Sequence, residues 1–212
     1  MAQALAISPT RMELMKLRRR ASLAKRGHEL LREKMDALII EFFEVLRRVR
    51  EVRAKAFDQL SSAYKSLSMC MARMGTIETQ QAANESKREL QIEASTRLVM
   101  GVLTPTLEVR KVERSALERG YSLYTTSPLL DEVARNFEVS LRLLIELAEL
   151  EESARVIAGE LERTKRRANA LEYIIIPRLL DSIKFIVMRL DEMERENFSR
   201  MKRIRAMMER RG

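Results

Sequence analysis

Apolar residues recur along this chain at alternating steps of three and four, in two long stretches separated by a region without that rhythm. From Leu14 the first series runs Leu14, Leu17, Ala21, Ala24, His28, Leu31, Met35, Leu38, Phe42, Val45, Val49, Val52 and Ala56, and twelve of these thirteen positions are apolar. Such steps hold side chains on one helix face. A stripe only two positions wide per seven residues is a coiled-coil seam, not the broad face of a globular helix. Three steps of four follow Val52, through Ala56, Leu60 and Tyr64, before Leu67, Met71 and Met74 resume. A run of fours predicts a stutter that relaxes the left-handed supercoil. Thr10 and Glu13 have capping-box spacing, and Gly75 ends the stretch. Only Gly27 interrupts, so the pattern predicts one helix of about 65 residues, roughly 97 Å long.

The second stretch starts near Pro128-Leu129. Its stripe reads Ile157, Leu161, Thr164, Ala168, Leu171, Ile175, Leu179, Ile183, Ile186, Leu190, Met193, Asn197, Met201, Ile204, Met208, again with three fours, between Leu171 and Ile183. Gly159 and Pro177 are its interruptions. A helical proline removes one backbone hydrogen bond and clashes with the carbonyl four residues back, here Tyr173, so a tolerated kink is expected at Pro177. Two such helices joined by an insert fold back as an antiparallel pair, with both chain ends at one tip. If Met74 lies opposite Leu129, residue n faces about 203 − n. Pro177 then falls near Arg26-Gly27-His28, with bulky Ile174–Ile176 against small Gly27 and Ala24. His28, polar at a seam position, is expected to fix the register with Pro177.

Residues 76–128 form the insert. Thr76 to Ala94 is polar and reads as a short helix or an arm. Leu98 to Leu103 is β-prone, Thr104-Pro105-Thr106 reads as a break, and Leu107 to Arg110 alternates with period two, a weak hairpin signal. Gly120-Tyr121 and Thr125 to Pro128 are turn material before the second helix. The expected organisation is a helix over 1–75, a head with a β-hairpin over 76–128, and a helix over 129–212. The fold class is mainly α, a long antiparallel two-helix coiled coil with a small head.

Composition agrees: aromatics are 5%, Trp is absent and charged residues reach 33%, as in long solvated helices. The charge is uneven. Residues 1–34 carry nine Lys or Arg against three Asp or Glu, residues 195–212 carry seven against two, and the 160 residues between carry 24 against 26. Antiparallel folding would gather Arg18, Arg19, Arg20, Lys25, Arg26, Arg200, Lys202, Arg203 and Arg205 at the tip, a surface attractive to an acidic partner or to nucleic acid.

Catalytic signals are lacking. One histidine cannot supply a histidine set for zinc, no phosphate-cradling loop motif is present, and His28 with the adjacent Glu29 cannot form a triad because helix neighbours point apart. Glu149, Glu151 and Glu152 read as a solvated cluster. Cys70 is the single cysteine, read as a small apolar residue on a helix face. No stretch approaches the roughly 20 apolar residues of a membrane span.

Several segments resemble the D subunit of archaeal and vacuolar-type rotary ATPases. They are Pro9-Thr10 through Lys16-Leu17; Arg26-Gly27-His28-Glu29-Leu30-Leu31-Arg32-Glu33-Lys34-Met35-Asp36; Thr164 through Glu172 with Ile176-Pro177; and Asp191 through Lys202. Met100-Gly101-Val102 with Pro105 is similar to that family's head hairpin. Ala168 departs from it, since larger aliphatics are usual there. The resemblance covers most of the chain in order, and the short tail after the last motif suggests an archaeal or bacterial source. It implies a noncatalytic central axle, one copy per complex, which transmits torque between the ATP-handling hexamer of A and B subunits and the ion-translocating membrane ring. The head would bind the F subunit and sit on a funnel-shaped subunit (C or d type), through the region holding Leu98, Val99, Met100, Val102, Leu107, Val109 and Val112. The resemblance implies no cofactor, no nucleic acid, and a peripheral place on the cytoplasmic face of the cell membrane. The competing reading is a basic coiled-coil scaffold or nucleic-acid-binding protein.

Overall fold

The structure is a computed structural model in which residues 8–115, 118–121 and 127–209 are described. The element order is α1 (Arg11–Met74), α2 (Thr76–Glu85), β1 (Ile92–Val99), β2 (Val102–Val109), α3 (Pro128–Ala170), a π-helical turn (Leu171–Ile175) and α4 (Ile176–Glu209). These compose two compact units, one of residues 1–36 with 162–212, the other of residues 37–161.

In the unit holding both termini, α1 runs antiparallel to α4. Arg11 pairs with Glu194 at 2.6 Å and His28 with Glu172 at 3.3 Å. Leu17, Ala21, Thr164, Ala168 and Ile186 are buried in the seam. The start of α1 is capped as its sequence predicts, with Glu13 N–H donating to Thr10 Oγ1 at 3.2 Å. The reciprocal half is replaced: Thr10 N–H donates to the Ser8 carbonyl at 2.9 Å, while the Glu13 carboxylate turns to Lys16.

In the other unit, the second half of α1 packs antiparallel on α3. Arg53 donates to Glu151 at 2.6 Å, Asn136 to Ser66 at 3.2 Å, and the Tyr64 ring meets Phe137 edge-on. One cluster joins Leu38, Val45 and Val49 to Ala154, Ile157 and Val102 from the hairpin. A second joins Cys70 to Ala82, Tyr121, Leu130 and Val133. Burial raises the Cys70 thiol pKa against a hydrogen bond with Thr79. In both units the cross-helix pairs fall within three residues of the 203 − n rule.

The two irregularities in the stripe have different structural outcomes. In α1 the buried positions are Val52, Ala56, Ala63 and Cys70, not Tyr64, which is exposed. From Val52 to Ala63 is eleven residues, three turns at 3.67 residues each, so a regular α-helix carries this stutter unaided. From Leu171 to Ile186 is fifteen residues, one more than two heptads. A single extra residue would rotate the downstream stripe by about 100° out of the seam. The chain absorbs it in the π-turn, where Ile176 N–H reaches the Leu171 carbonyl five residues back.

Pro177 therefore follows a widened turn, and the expected packing around it is corrected. Tyr173, Ile174 and Ile175 are exposed (71%, 47% and 42%). A Cβ on Gly27 would meet nothing within 4 Å, so the isoleucines do not fill the space beside that glycine. The π-turn rotates them outward while Ile186 returns to the seam.

The head begins at Gly75, whose φ of +93° lets α1 break into α2. The β-hairpin is longer than its sequence signal, eight residues per strand, and closes through Met100 and Gly101, both at positive φ. Such two-residue turns match the twist of the strands. Pro105 lies inside β2 rather than breaking it. Gln91 accepts from Arg110 N–H, so by antiparallel alternation the odd-numbered residues of β1 carry the inner bonds. Pro105, opposite Thr96, sits where an N–H would point away from β1, and its missing donor costs nothing in the ladder.

If the π-turn carries one surplus residue, deleting Ile175 together with Pro177→Ala should leave the helices paired. The melting temperature by circular dichroism should stay within a few degrees. A one-residue deletion at Lys165, in regular α3, should lower it sharply.

Candidate functional site

All nine residues of the expected basic tip are exposed. Arg205 bonds Glu209 at 3.2 Å, and Lys202 lies 4.7 Å over the Phe198 ring. Arg18, Arg19, Arg20, Lys25, Arg26, Arg200 and Arg203 form no ion pair among the described residues. The two basic stretches share a unit but not a level. With Arg11 opposite Glu194, Arg18 stands near residue 187, and Arg200 lies about 20 Å further along the axis at 1.5 Å per residue. Residues 191–209 are exposed throughout. The positive surface is thus two staggered groups rather than one cluster. Exposed Met12, Met15, Leu23 and Leu30 of α1 lie on the same unit, as do Phe185, Met188 and the outward Tyr173-Ile174-Ile175.

The hairpin residues divide by face. Leu98, Met100 and Leu103 are exposed, and Val99, Leu107, Val109 and Val112 are half-buried. Val102 is buried in the core cluster with Leu38 and Ile157, so it anchors the hairpin instead of offering a contact. Strand alternation explains the split, since Val102 and Thr104 point one way and Leu103 and Pro105 the other.

Of the two expected register residues, His28 makes a polar contact across the helix pair. His28 Nε2 lies 3.3 Å from Glu172 Oε2, and Glu172 belongs to the π-turn. His28 thus touches the π-helical turn that interrupts the second long helix.

Sequence reasoning missed a buried polar network in the head. Arg119 donates through Nε and Nη2 to Glu138 at 3.3 and 3.0 Å, and through Nη1 to the Asp131 carbonyl and carboxylate at 3.2 and 2.9 Å. Tyr121 Oη donates to the same Asp131 carboxylate. Arg114 backbone N–H donates to Glu138 at 3.3 Å, and its guanidinium reaches the Ser86 carbonyl. Asp131 and Glu138 are seven residues apart, two turns along one face of α3. Burial alone would depress the Arg119 pKa, but its bonds to Glu138, Tyr121 and Asp131 prevail and raise it. Burial and the bond to Asp131 also raise the Tyr121 pKa. The network ties Arg114, Arg119 and Tyr121 to α3, and Arg114 to Ser86 at the end of α2. Arg119-Gly120-Tyr121 reads locally as a turn, and nothing in its spacing marks an arginine for burial.

Glu149 and Glu152 are half-buried and Glu151 is exposed. Each has its own partner: Leu107 N–H at 3.0 Å, Arg53 at 2.6 Å and Arg155 at 3.0 Å. Among the described residues no three His, Cys, Asp or Glu side chains are grouped to hold a metal, and no helix is long and apolar enough to cross a membrane. A 460 Å³ cavity bordered by Leu60, Leu67, Val133 and Phe137 is apolar, and the Glu138 and Arg114 at its edge already bond each other.

The fold defines a class: long antiparallel helices carrying a β-hairpin head, with charge and apolar side chains displayed along the helices. The chain belongs to the family of the ATP synthase D subunit, whose model matches residues 13–206. It is 47% identical over 212 residues to the D subunit of the A-type ATP synthase of Thermococcus gammatolerans, spanning 100% of this chain and 99% of that one. Identity to the Pyrococcus horikoshii D subunit is 48% over 211 residues, with 100% and 99% covered. For the Methanopyrus kandleri D subunit it is 47% over 204 residues, 96% of this chain and 88% of that one. The chain is thus a subunit of a membrane-associated complex.

Replacing Arg119 with Met leaves Glu138 and Asp131 without their main partner and should cost about 3–5 kcal/mol, the range for breaking a buried pair. The double change Arg119→Met, Glu138→Met should recover most of that loss in chemical denaturation. A tyrosine whose folded pKa lies above its unfolded value contributes fully below about pH 10. That contribution is lost as pH rises through the folded pKa. The wild-type melting temperature should therefore fall more steeply above pH 10 than that of Tyr121→Phe.

Proposed function

We propose that this chain is the central rotor axle of an A-type ATP synthase, a noncatalytic subunit transmitting torque between the A/B hexamer and the ion-translocating membrane ring. The observation that carries this reading is the outer surface of the terminal unit. Seven cations without ion pairs among the described residues and a series of exposed apolar side chains lie on its helices, and past Leu190 the stripe positions Met193, Met201, Ile204 and Met208 are themselves exposed. Such residues have no task inside the chain and suit a surrounding bearing of many shallow contacts. An axle also needs torsional stiffness, supplied by paired helices with interlocked seams. It needs asymmetry, so that each catalytic interface meets a different face and its open and closed states are biased differently. The π-turn adds to that asymmetry by displaying Tyr173-Ile174-Ile175 on one helix only. In the head, Leu98, Met100 and Leu103 are the residues open to the F subunit or the funnel-shaped subunit.

Affinity isolation from native membranes through a tag on this chain tests the reading. Recovery with A and B subunits is expected; recovery without them overturns it. Because rotation requires interchangeable contacts, single changes such as Arg19→Ala should alter ATP-driven ion pumping by less than about twofold, within the small effect of one exposed charge. Loss of coupling from one such change would contradict a bearing of weak contacts.

A further inference from the structure

The two edges of the hairpin are treated differently. On β2 the outward positions are Leu103, Pro105, Leu107 and Val109. Pro105 has no N–H to offer, and the Leu107 N–H is taken by Glu149 from α3 at 3.0 Å. A proline and a helix-borne carboxylate are two of the ways a strand edge is closed to further pairing. On β1 the outward positions are Ile92, Ala94, Thr96 and Leu98, opposite Val109, Leu107, Pro105 and Leu103. All four are exposed, and among the described residues none of their backbone groups has a hydrogen-bond partner. None is a proline, lysine or other charged residue that would discourage pairing. A two-stranded sheet is marginal alone, yet this one leaves a full-length edge open.

We propose that the outer edge of β1 receives an extended strand from another subunit, making the hairpin a three-stranded sheet. The four outward N–H and C=O groups define the occupant: only a strand satisfies them in series. Its chemistry follows from the exposed face, where Ile92, Ala94, Leu98 and Leu103 form an apolar strip. The incoming strand carries apolar residues at alternate positions, so that those on this face continue the strip. Glu93, an inner position, pairs with Arg110 across the hairpin at 2.6 Å, and none of the outward positions carries a carboxylate. The inference rests on the chain being one subunit of a larger assembly, and its test is read separately from that reading.

Hydrogen exchange is measured on the isolated chain and on whatever assembly is isolated through a tag on it. In the isolated chain the Ala94, Thr96 and Leu98 amides should exchange freely while the inner Ser95 and Arg97 amides are protected. In the assembly the outward amides should slow by about tenfold or more. Unchanged exchange there, including recovery of the chain alone, overturns the proposal. Protection already present in an isolated chain that sediments as a dimer also overturns it, in favour of a second copy. The presence or absence of A and B subunits bears only on the axle reading. Thr96→Pro removes one outward N–H and leaves the inner ladder intact, as Pro105 does opposite it. It should abolish the protection at Ala94 and Leu98, whereas Thr96→Val, which keeps the N–H, should not. Equal protection in both variants would sink the idea.

Discussion

The narrow apolar seam is the constraint on which the helical pairs depend. Two positions per heptad face the partner helix, so small shifts of phase matter more than they would on a broad core face. Eleven residues from Val52 to Ala63 keep phase in a regular helix. Fifteen from Leu171 to Ile186 do not, and the chain resolves the surplus by widening one turn to the π geometry. The cost of that turn is local. The alternative, a stripe rotated out of contact from Leu179 onward, would forfeit the burial of Ile186 and the partial burial of Val187 and Leu190. His28 lies against the same turn through Glu172, so a polar residue sits in the seam where the backbone is least regular.

The head obeys a different constraint. Apolar anchors such as Val102, Ala82 and Tyr121 are few there, and a buried charge network adds to them. Arg119, buried among Glu138, Asp131 and Tyr121, satisfies its donors in a place where an unpaired guanidinium would be severely penalised. Such a network adds less net stability than its bonds suggest, because desolvation offsets much of their energy. It does determine position. Arg114, Arg119 and Tyr121 are each fixed to α3 by it, and the base of the hairpin lies just before Arg114 in the chain. Val102, sunk between Leu38 and Ile157, anchors the opposite end of the same hairpin.

The distribution of polarity then connects to function. The seam and the head network consume the residues that hold the chain together. Exposed cations near each end, outward Tyr173-Ile174-Ile175 and the open edge of β1 are left over. In a family whose members are subunits of ATP synthase, leftover surfaces of this kind are where contacts with other subunits are sought. On the proposed axle reading, interfaces along a turning shaft must be shallow and repeated, while a strand edge in the head can be tight and permanent. The two kinds of surface lie on different parts of the chain.

The sequence by itself determined the helices, their antiparallel register to within three residues, the cap at Thr10 and the place of the hairpin. Each of these depends on local spacing or on glycines free to take positive φ, such as Gly75 and Gly101. Phase irregularities were visible too, as runs of fours near Leu60 and Leu179. Spacing alone could not say which would be carried by an ordinary helix and which would force a π-turn, so Ile174 and Ile175 read as packed beside Gly27 when they are turned to solvent. The staggering of the two basic groups, the burial of Val102 and the engagement of Glu149 with Leu107 were likewise decided in three dimensions. Arg119 is the clearest case. An arginine beside a glycine looks like any turn residue until α3 brings Asp131 and Glu138 to it, because burial of a charge depends on partners distant in sequence.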